Sequence, residues 1–550
     1  MPQKAKDTAL RLPKVTIVDF KSIELERTLT ALFARIYHNG QDSRLTKPNT
    51  TIQDFQEHIL EQPDRFRDFS KHPDILRGWL EGHLLDLVNR GKHNQQVASP
   101  RPLHGFTYRF RNPKHCRDYG SAEHLYEMLW HARNDLGKLA LGSMKRFFFE
   151  GVDPNTHEQD SGINIDVETQ ALLSLGKDDM KEDAPVKGSR NPTPPLCIGS
   201  ADLLADDILR LMQYKAHIPR SVMVEYLKIL LGFHLALYHL RLMKLLPEMV
   251  RRKGAMPACE TSRCPVKPGN TECPFGDCPS QIGLFLDVKN HPGSIAANLA
   301  ERSAEFNFRR IPEFLKAYYT VKKLDEFATD SLKMGRLPGG AQRWMSVPEV
   351  LGLLGDKYAK DRDIYFQARM LNMTDSSGGD DNSEPAEWAQ IRRLSLSPLE
   401  TYVECLVAQR VNYHRKFITG CLDSFTLKNR PGAMLAQNRT RKAPRRFTLD
   451  SRLLEVLLQI NVLDYDPDTS KYRSSEIQVD RLLLVLRKRY GLFIDRLPID
   501  EGFQEPTIEE RQALRANKDA FKDKLREIGF FQDLSDAYIT QHVRPRYQIG

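Results

Sequence analysis

Apolar residues along this chain recur mostly every three or four positions, the spacing of one helix face. Leu25, Leu29, Leu32 and Phe33 follow Ser22-Ile-Glu-Leu-Glu in that rhythm and predict a helix from Ser22 to about His38, stopping before Gly40. Two or three further helices are expected between Thr51 and Arg90. The clearest covers 74–88, with Ile75, Leu76, Trp79, Leu80, Leu84, Leu85 and Leu87. Gly105-Phe-Thr-Tyr-Arg-Phe-Arg111 alternates large apolar with polar residues and reads as a strand. Ser121 stands where an N-cap belongs, ahead of Leu125, Met128, Leu129 and Ala132. Helices are predicted over 202–212, about 221–250, 296–306 and 313–331, with a buried strand at 282–288. Ser397-Pro-Leu-Glu400 is a capping sequence, with Pro at the first helical position, and opens a helix to about Leu427. Two amphipathic helices, 451–460 and 474–490, and a short strand at 491–494 follow.

Two segments break this rhythm. Residues 177–198 contain Lys177-Asp-Asp-Met-Lys-Glu-Asp-Ala-Pro and Pro192-Thr-Pro-Pro195. Residues 374–396 open with TDSSGGDDNSEPAE, which has five acids and no base. Neither has the apolar surface to offset ordering entropy, so both read as linkers. The division expected is a mainly helical N-terminal domain (1–176) and a central helical domain (199–373). A helix with a basic loop (397–446) and a C-terminal domain (447–550) complete it. For 550 residues, roughly 150 per domain gives a similar number. The fold class expected is mainly α and multidomain, with a few short strands.

The most apolar stretch, 229–243, is interrupted by His234, His239 and Arg241. A bilayer span needs about 20 mostly apolar residues, so this reads as a core helix. The first residues lack a signal-like apolar run, and a cytoplasmic location is expected. Eight cysteines in such a chain are too few for a disulfide scaffold.

Four of them are clustered as Cys259-x4-Cys264-x8-Cys273-x4-Cys278, among Pro265, Pro268, Gly269, Pro274 and Gly276. Turn residues can fold the segment back on itself, and four thiolates with no open position suit structural zinc. An iron–sulfur cluster is the second reading and unligated cysteines the third.

Lys plus Arg is 81 against 72 acids, a net charge of +9. Between 428 and 446 there are seven bases and no acid: Lys428, Arg430, Arg439, Arg441, Lys442, Arg445 and Arg446. A concentrated positive strip attracts phosphate backbones without reading sequence. A solvated loop, or one that meets an acidic partner protein, is the plainer alternative. Tyr108-Arg-Phe-Arg-Asn-Pro-Lys114 could stack bases, although aromatics on a strand more often face the core. In the C-terminal block the order helix, helix, strand suggests a winged helix, with Arg481, Arg487, Lys488 and Arg489 beside a groove.

Catalytic signatures are weak. There is no GxxxxGK[ST], GxSxG, HExxH or GxGxxG. Asp287-Val-Lys289 has the acidic-x-Lys form of a magnesium nuclease site, without a visible second carboxylate. Glu127, His131 and His124 could be drawn as metal ligands, but a surface Glu–His pair is commoner. His234 and His239 read as core or rim residues.

Three stretches carry a resemblance: RRFTLDSRLLEVLLQINVL, SSEIQVDRLLLVLRKRYGLFIDRLP and RQALRANKDAFKDKLREIGFFQDLSDAYITQHVRPRY. They resemble the accessory component, without a recognised enzymatic domain, of bacterial methylation-associated anti-phage defence systems. The resemblance covers the C-terminal block, and elsewhere only general organisation. It implies one subunit of a restriction-like complex whose methyltransferase, kinase-like, ATPase or nuclease activities lie in other chains. The reading reached is a non-catalytic, DNA-binding or scaffolding subunit of an antiviral system. A divergent magnesium nuclease using Asp287 and Lys289, or a pure protein adaptor, are the alternatives.

Overall fold

Arg220–Arg251 (α5) is 32 residues long, and 89% of its most apolar window is buried inside the protein. That helix is long and apolar enough to cross a membrane, but its surface is taken up by protein neighbours. These are Leu25–Tyr37 (α1), Ile198–Met212 (α4), Ile311–Lys333 (α7), Pro398–Phe425 (α8) and Ser451–Asn461 (α9). Gly232 makes the closest of these approaches possible. A Cβ there would lie 2.6 Å from Leu25 Cδ1 and 2.8 Å from the Phe425 carbonyl oxygen. The computed structural model describes residues 9–45, 51–64, 66–91, 95–153, 165–174, 183–255, 281–375, 386–438, 440, 443–469, 471–499, 501–531 and 542–550. It is 57% helix and 9% strand, with 17 α-helices, so the mainly α class stands.

The N-terminal helices α1, Ser121–His131 (α2) and Leu136–Phe149 (α3) pack on one another and on α4. Local sequence signals there differ from expectation in three places. Gly105–Phe110 is a short 3-10 helix, not a strand, and every residue in it is buried. The His104 ring accepts from the Phe106 amide at 3.3 Å, and the Thr107 hydroxyl donates to the His104 carbonyl, closing a tight turn. Pro73–Trp79 is helical, but Leu80–Leu84 widens to a π-type turn and Leu85–Val88 becomes a strand antiparallel to Gln96–Pro100. Ser121 is not the cap of α2. Asp118 accepts the Ala122 amide at 3.0 Å, and the Ser121 hydroxyl donates to the Asp118 carbonyl.

The described part of the charged, proline-rich stretch, from 183 onward, is held by polar bonds. Asp183 accepts from Ser43 at 2.7 Å, from His38 at 3.1 Å and from Tyr108. Arg190 pairs with Glu127 at 2.6 Å. Burial alone would raise the Asp183 carboxyl, but these donors hold it at about 2.

A small mixed sheet stands beside the helices. Leu284–Phe285 (β1) pairs in parallel with Leu492–Phe493 (β4); each lies within one of the predicted strands, 282–288 and 491–494, but their pairing is not predicted by the sequence. Leu435–Gln437 (β2) and Arg445–Phe447 (β3) form a hairpin. Asp287 joins the hairpin to the parallel pair by bridging to Thr448, its amide donating to Phe447 O at 3.0 Å. Ile295–Phe308 (α6) and Ile508–Glu527 (α11) cover this sheet. Asn517 of α11 spans both parallel strands, donating to Leu286 O and Ile494 O and accepting from the Val288 amide.

The C-terminal residues do not show a winged helix. A hairpin, Leu463–Asp466 with Lys471–Ser474, separates α9 from the next helix, Val479–Val485 (α10). After α10, β4 pairs with β1 rather than with a wing strand. A Cβ at Gly491, whose φ is +79°, would sit 2.1 Å from Ile282 O, so glycine lets β4 enter the sheet. One connected core runs from Leu12 to Val543 and joins these residues to the central helices.

Candidate nucleic-acid interface

The hairpin β2/β3 is rooted between α8 and α9, and its sides carry four of the predicted basic residues. Each of the four has an internal partner. Lys428 and Arg445 share Asp423, with Arg445 bidentate at 2.8 Å. Arg430 pairs with Glu24 at 2.9 Å. Arg446 is buried and donates to Asn290 Oδ1 at 2.7 Å, with Asn438 as a further acceptor. Arg439, Arg441 and Lys442 lie outside the described residues.

Beside the hairpin lies a groove of about 630 Å³, lined among others by Asn290, Arg430, Asp450, Arg452 and Lys524. Its one lining carboxylate among the described residues, Asp450, bonds the backbone through Oδ1. It accepts the Gly432 amide at 2.7 Å and the Arg452 amide at 2.9 Å, capping α9. The exposed Arg452 side chain has no bonded partner among the described residues. Lys524 donates to Val288 O and Leu449 O, and burial lowers its pKa. Arg452 and Lys524 belong to this site but not to the basic segment. Seventy-odd residues separate them, so only the fold brings them together.

The second basic set divides. Arg481 is exposed on α10 beside a separate 510 Å³ pocket, and Lys488 is exposed. Arg487 pairs with Asp495 at 2.9 Å. Arg489 points inward to Asp206 and Asp207, both 0% exposed. Arg210 meets Asp206 at 2.9 Å, and His234 meets Asp207 at 2.9 Å. Burial would raise Asp207, but the Arg489 guanidinium and the His234 bond hold it at about 2. Arg489 is therefore bonded inward while also lining the 510 Å³ pocket beside Arg481.

Asp287 and Lys289 do not converge. Asp287 is fully buried, accepts the Asn290 amide at 3.0 Å, and faces Arg446 at 3.9 Å. Burial pushes its carboxyl up. Lys289 is exposed. Among the described residues no group of three His, Cys, Asp or Glu side chains could hold a metal ion. Glu127 is committed to Arg190 and His131. Tyr108 and Phe110 are buried, as are Arg109 and Arg111, so the strip at 108–114 presents no stacking face.

Cys259, Cys264, Cys273 and Cys278 lie outside the described residues. The chain on either side returns to α5: Gly254 N donates to Met249 O at 2.9 Å, and Lys244 Nζ to Gln281 O at 2.6 Å. The two anchors, Lys244 and Met249, are about 7.5 Å apart along the helix.

The fold and site define a mainly helical protein with a small sheet, whose cations are drawn from distant parts of the chain. The family described as methylation-associated defense system protein MAD7 matches residues 5–547, and the chain belongs to that family. It is thus a component of a methylation-associated defence system. No curated protein matches it.

Proposed function

We propose that the chain is a non-catalytic, cytoplasmic subunit that grips nucleic acid for the other components of an anti-phage defence system. The observation that carries this is the groove at the hairpin root. It is walled by Arg430, Arg452 and Lys524, has Asp450 as its one carboxylate among the described residues, and belongs to a hairpin whose two strands bracket Arg439, Arg441 and Lys442 in the sequence. Phosphate contacts of this kind position a polynucleotide without reading its bases. Replacing Arg439, Arg441, Lys442 and Arg452 by Ala is expected to weaken duplex binding in fluorescence anisotropy. The log–log salt slope should fall by about 0.9 for each phosphate contact removed. Unchanged affinity and slope would remove the groove from the reading, and DNA cleavage by the purified chain in Mg²⁺ would remove the non-catalytic role.

A protein adaptor is the second reading. It is favoured by the internal pairing of Lys428, Arg430 and Arg445, which reduces the charge free for phosphate. Co-purification of other defence subunits that survives nuclease treatment supports it. The four cysteines are proposed to hold one structural zinc ion, with an iron–sulfur cluster the alternative.

A further inference from the structure

The middle of α8 faces solvent with an unusual mixture of side chains. From Cys405 to Leu422 there is no Asp or Glu, while Arg410, Arg415 and Lys416 fall in this stretch. All three are exposed, and none makes an ion pair among the described residues. This contrasts with the hairpin, where the described cations are bonded internally.

Aromatic rings lie between these charges. Tyr413 is 51% exposed, although a tyrosine of a packed helix ordinarily buries its ring. Its ring meets that of Phe417 at 4.7 Å, tilted by 52°, and Arg410 lies 5.9 Å from its centroid. Lys21 Nζ sits 4.2 Å over the Phe417 ring. Residues 410, 413 and 417 follow the i, i+3, i+7 spacing of one helix stripe and 416 lies i+3 from 413, so Tyr413 shares a surface with Arg410 and Lys416, while Arg415 points away from it. Phe417 and its neighbours fix the inner side of Tyr413 and leave an aromatic surface open between cations.

We propose that this face of α8 is a stacking platform for a single polynucleotide strand. Bases stack on Tyr413, while Arg410 and Lys416 meet the phosphates on either side. Single strands are held in this way because every base has a π-face, whereas a duplex keeps its bases stacked inside. The location fits a track leading to the hairpin groove. The loop that places Lys21 over Phe417 also places Glu24 on Arg430, which lines that groove. Three residues span at most about 10 Å, so the two contacts lie close together. The inference rests on the nucleic-acid reading only in taking a polynucleotide as ligand; its residues are different.

The test uses the purified full-length chain with labelled oligo-dT, an RNA oligomer of equal length and a blunt DNA duplex. Tyr413→Ala is expected to weaken single-strand binding about tenfold, equivalent to about 1.4 kcal/mol, within the range for one stacked base. Tyr413→Phe should bind as the wild type does, and duplex affinity should be unchanged in both. Replacing Arg410 and Lys416 together by Ala should lower the single-strand salt slope by about 1.4, from about 0.7 per contact. An unaltered unfolding midpoint checks that the exposed substitutions leave the fold intact. Equal oligomer affinity for Tyr413→Ala and wild type overturns the platform. So does a Tyr413→Phe variant as weak as Tyr413→Ala, which would place the contact in the hydroxyl. Binding of polyglutamate that competes with oligo-dT and is itself lost in Tyr413→Ala overturns it too, and makes the face a site for acidic protein. Wild-type binding to duplex but not to either oligomer sinks the platform and leaves the groove; the reverse sinks the groove and leaves the platform.

Discussion

Arg489 and Asp423 show how one charge can serve the fold or oppose a ligand, depending on what surrounds it. Arg489 lies between two fully buried carboxylates, and its removal leaves Asp206 and Asp207 with Arg210, His234 and the Tyr472 and Tyr490 hydroxyls as partners. Breaking such a pair from one side costs about 3–5 kcal/mol, because the remaining charge stays out of water. Arg489→Ala should therefore lower the urea midpoint strongly while leaving the nucleic-acid affinity of the folded fraction unchanged. Lost affinity at unchanged stability would contradict the inward assignment. Asp423 is the opposite case. It neutralises Lys428 and Arg445 at the hairpin root, with all three partly screened by solvent. Asp423→Ala is expected to cost about 1–2 kcal/mol, between surface and buried values. It should also tighten duplex binding at low salt, because two cations are released toward the groove. Urea titration and anisotropy on the same variant read the two effects, and weaker binding would exclude the hairpin from contact.

At the scale of elements, the excursion between Gly254 and Gln281 is the best place for a chemical test. Its flanks are tied to the last turns of one helix, so a metal knuckle there would close a short loop on a rigid base. Elemental analysis should find one zinc per chain. Stripping it with a chelator should lower the unfolding midpoint, since binding energy of a structural site is folding energy. Absence of both zinc and iron from freshly purified protein rules out the ligated readings. Helices were the most legible part of the sequence. Ser397-Pro-Leu-Glu400 does build a reciprocal capping box, and the predicted 221–250 helix is Arg220–Arg251. Legibility failed where burial is complete on all sides. Leu84, Leu85 and Leu87 are buried whichever period the backbone takes, so apolar spacing could not separate helix from strand. The strand partner, Gln96–Pro100, decides it, and pairing is not written in spacing. The candidate site was half legible for the same reason. The cations of 428–446 stand out in the sequence, but their partners Glu24 and Asn290 are distant. Arg452 and Lys524 join the groove only through the packing of α9 and α11.

For the whole molecule, acid sensitivity follows from histidines sealed in the core. Burial holds His239 down at about 4 and His104 at about 3, and it also lowers His234. In an unfolded chain each would titrate near 6.5. Between that value and the depressed one, the unfolded state binds a proton that the native state refuses. Stability is therefore complete above about pH 6.5 and declines as the pH falls, by up to about 1.4 kcal/mol per pH unit for each such histidine. Asp207 and Asp183, held at about 2, begin to contribute loss only once the pH passes below the ordinary carboxylate range. Asp118 and Asp287 are pushed up by burial and act in the opposite direction just above that range. The clean measurement is thus a difference between two proteins rather than one curve. Urea midpoints of wild type should fall between pH 7 and pH 5. His239→Gln, which cannot titrate, should start lower because it disturbs the contacts to Thr16 and Leu235. From there it should fall less steeply, by about one proton's worth of slope. Parallel curves would mean that His239 is protonated equally in both states, and that the interface between α5 and the N-terminal segment admits water.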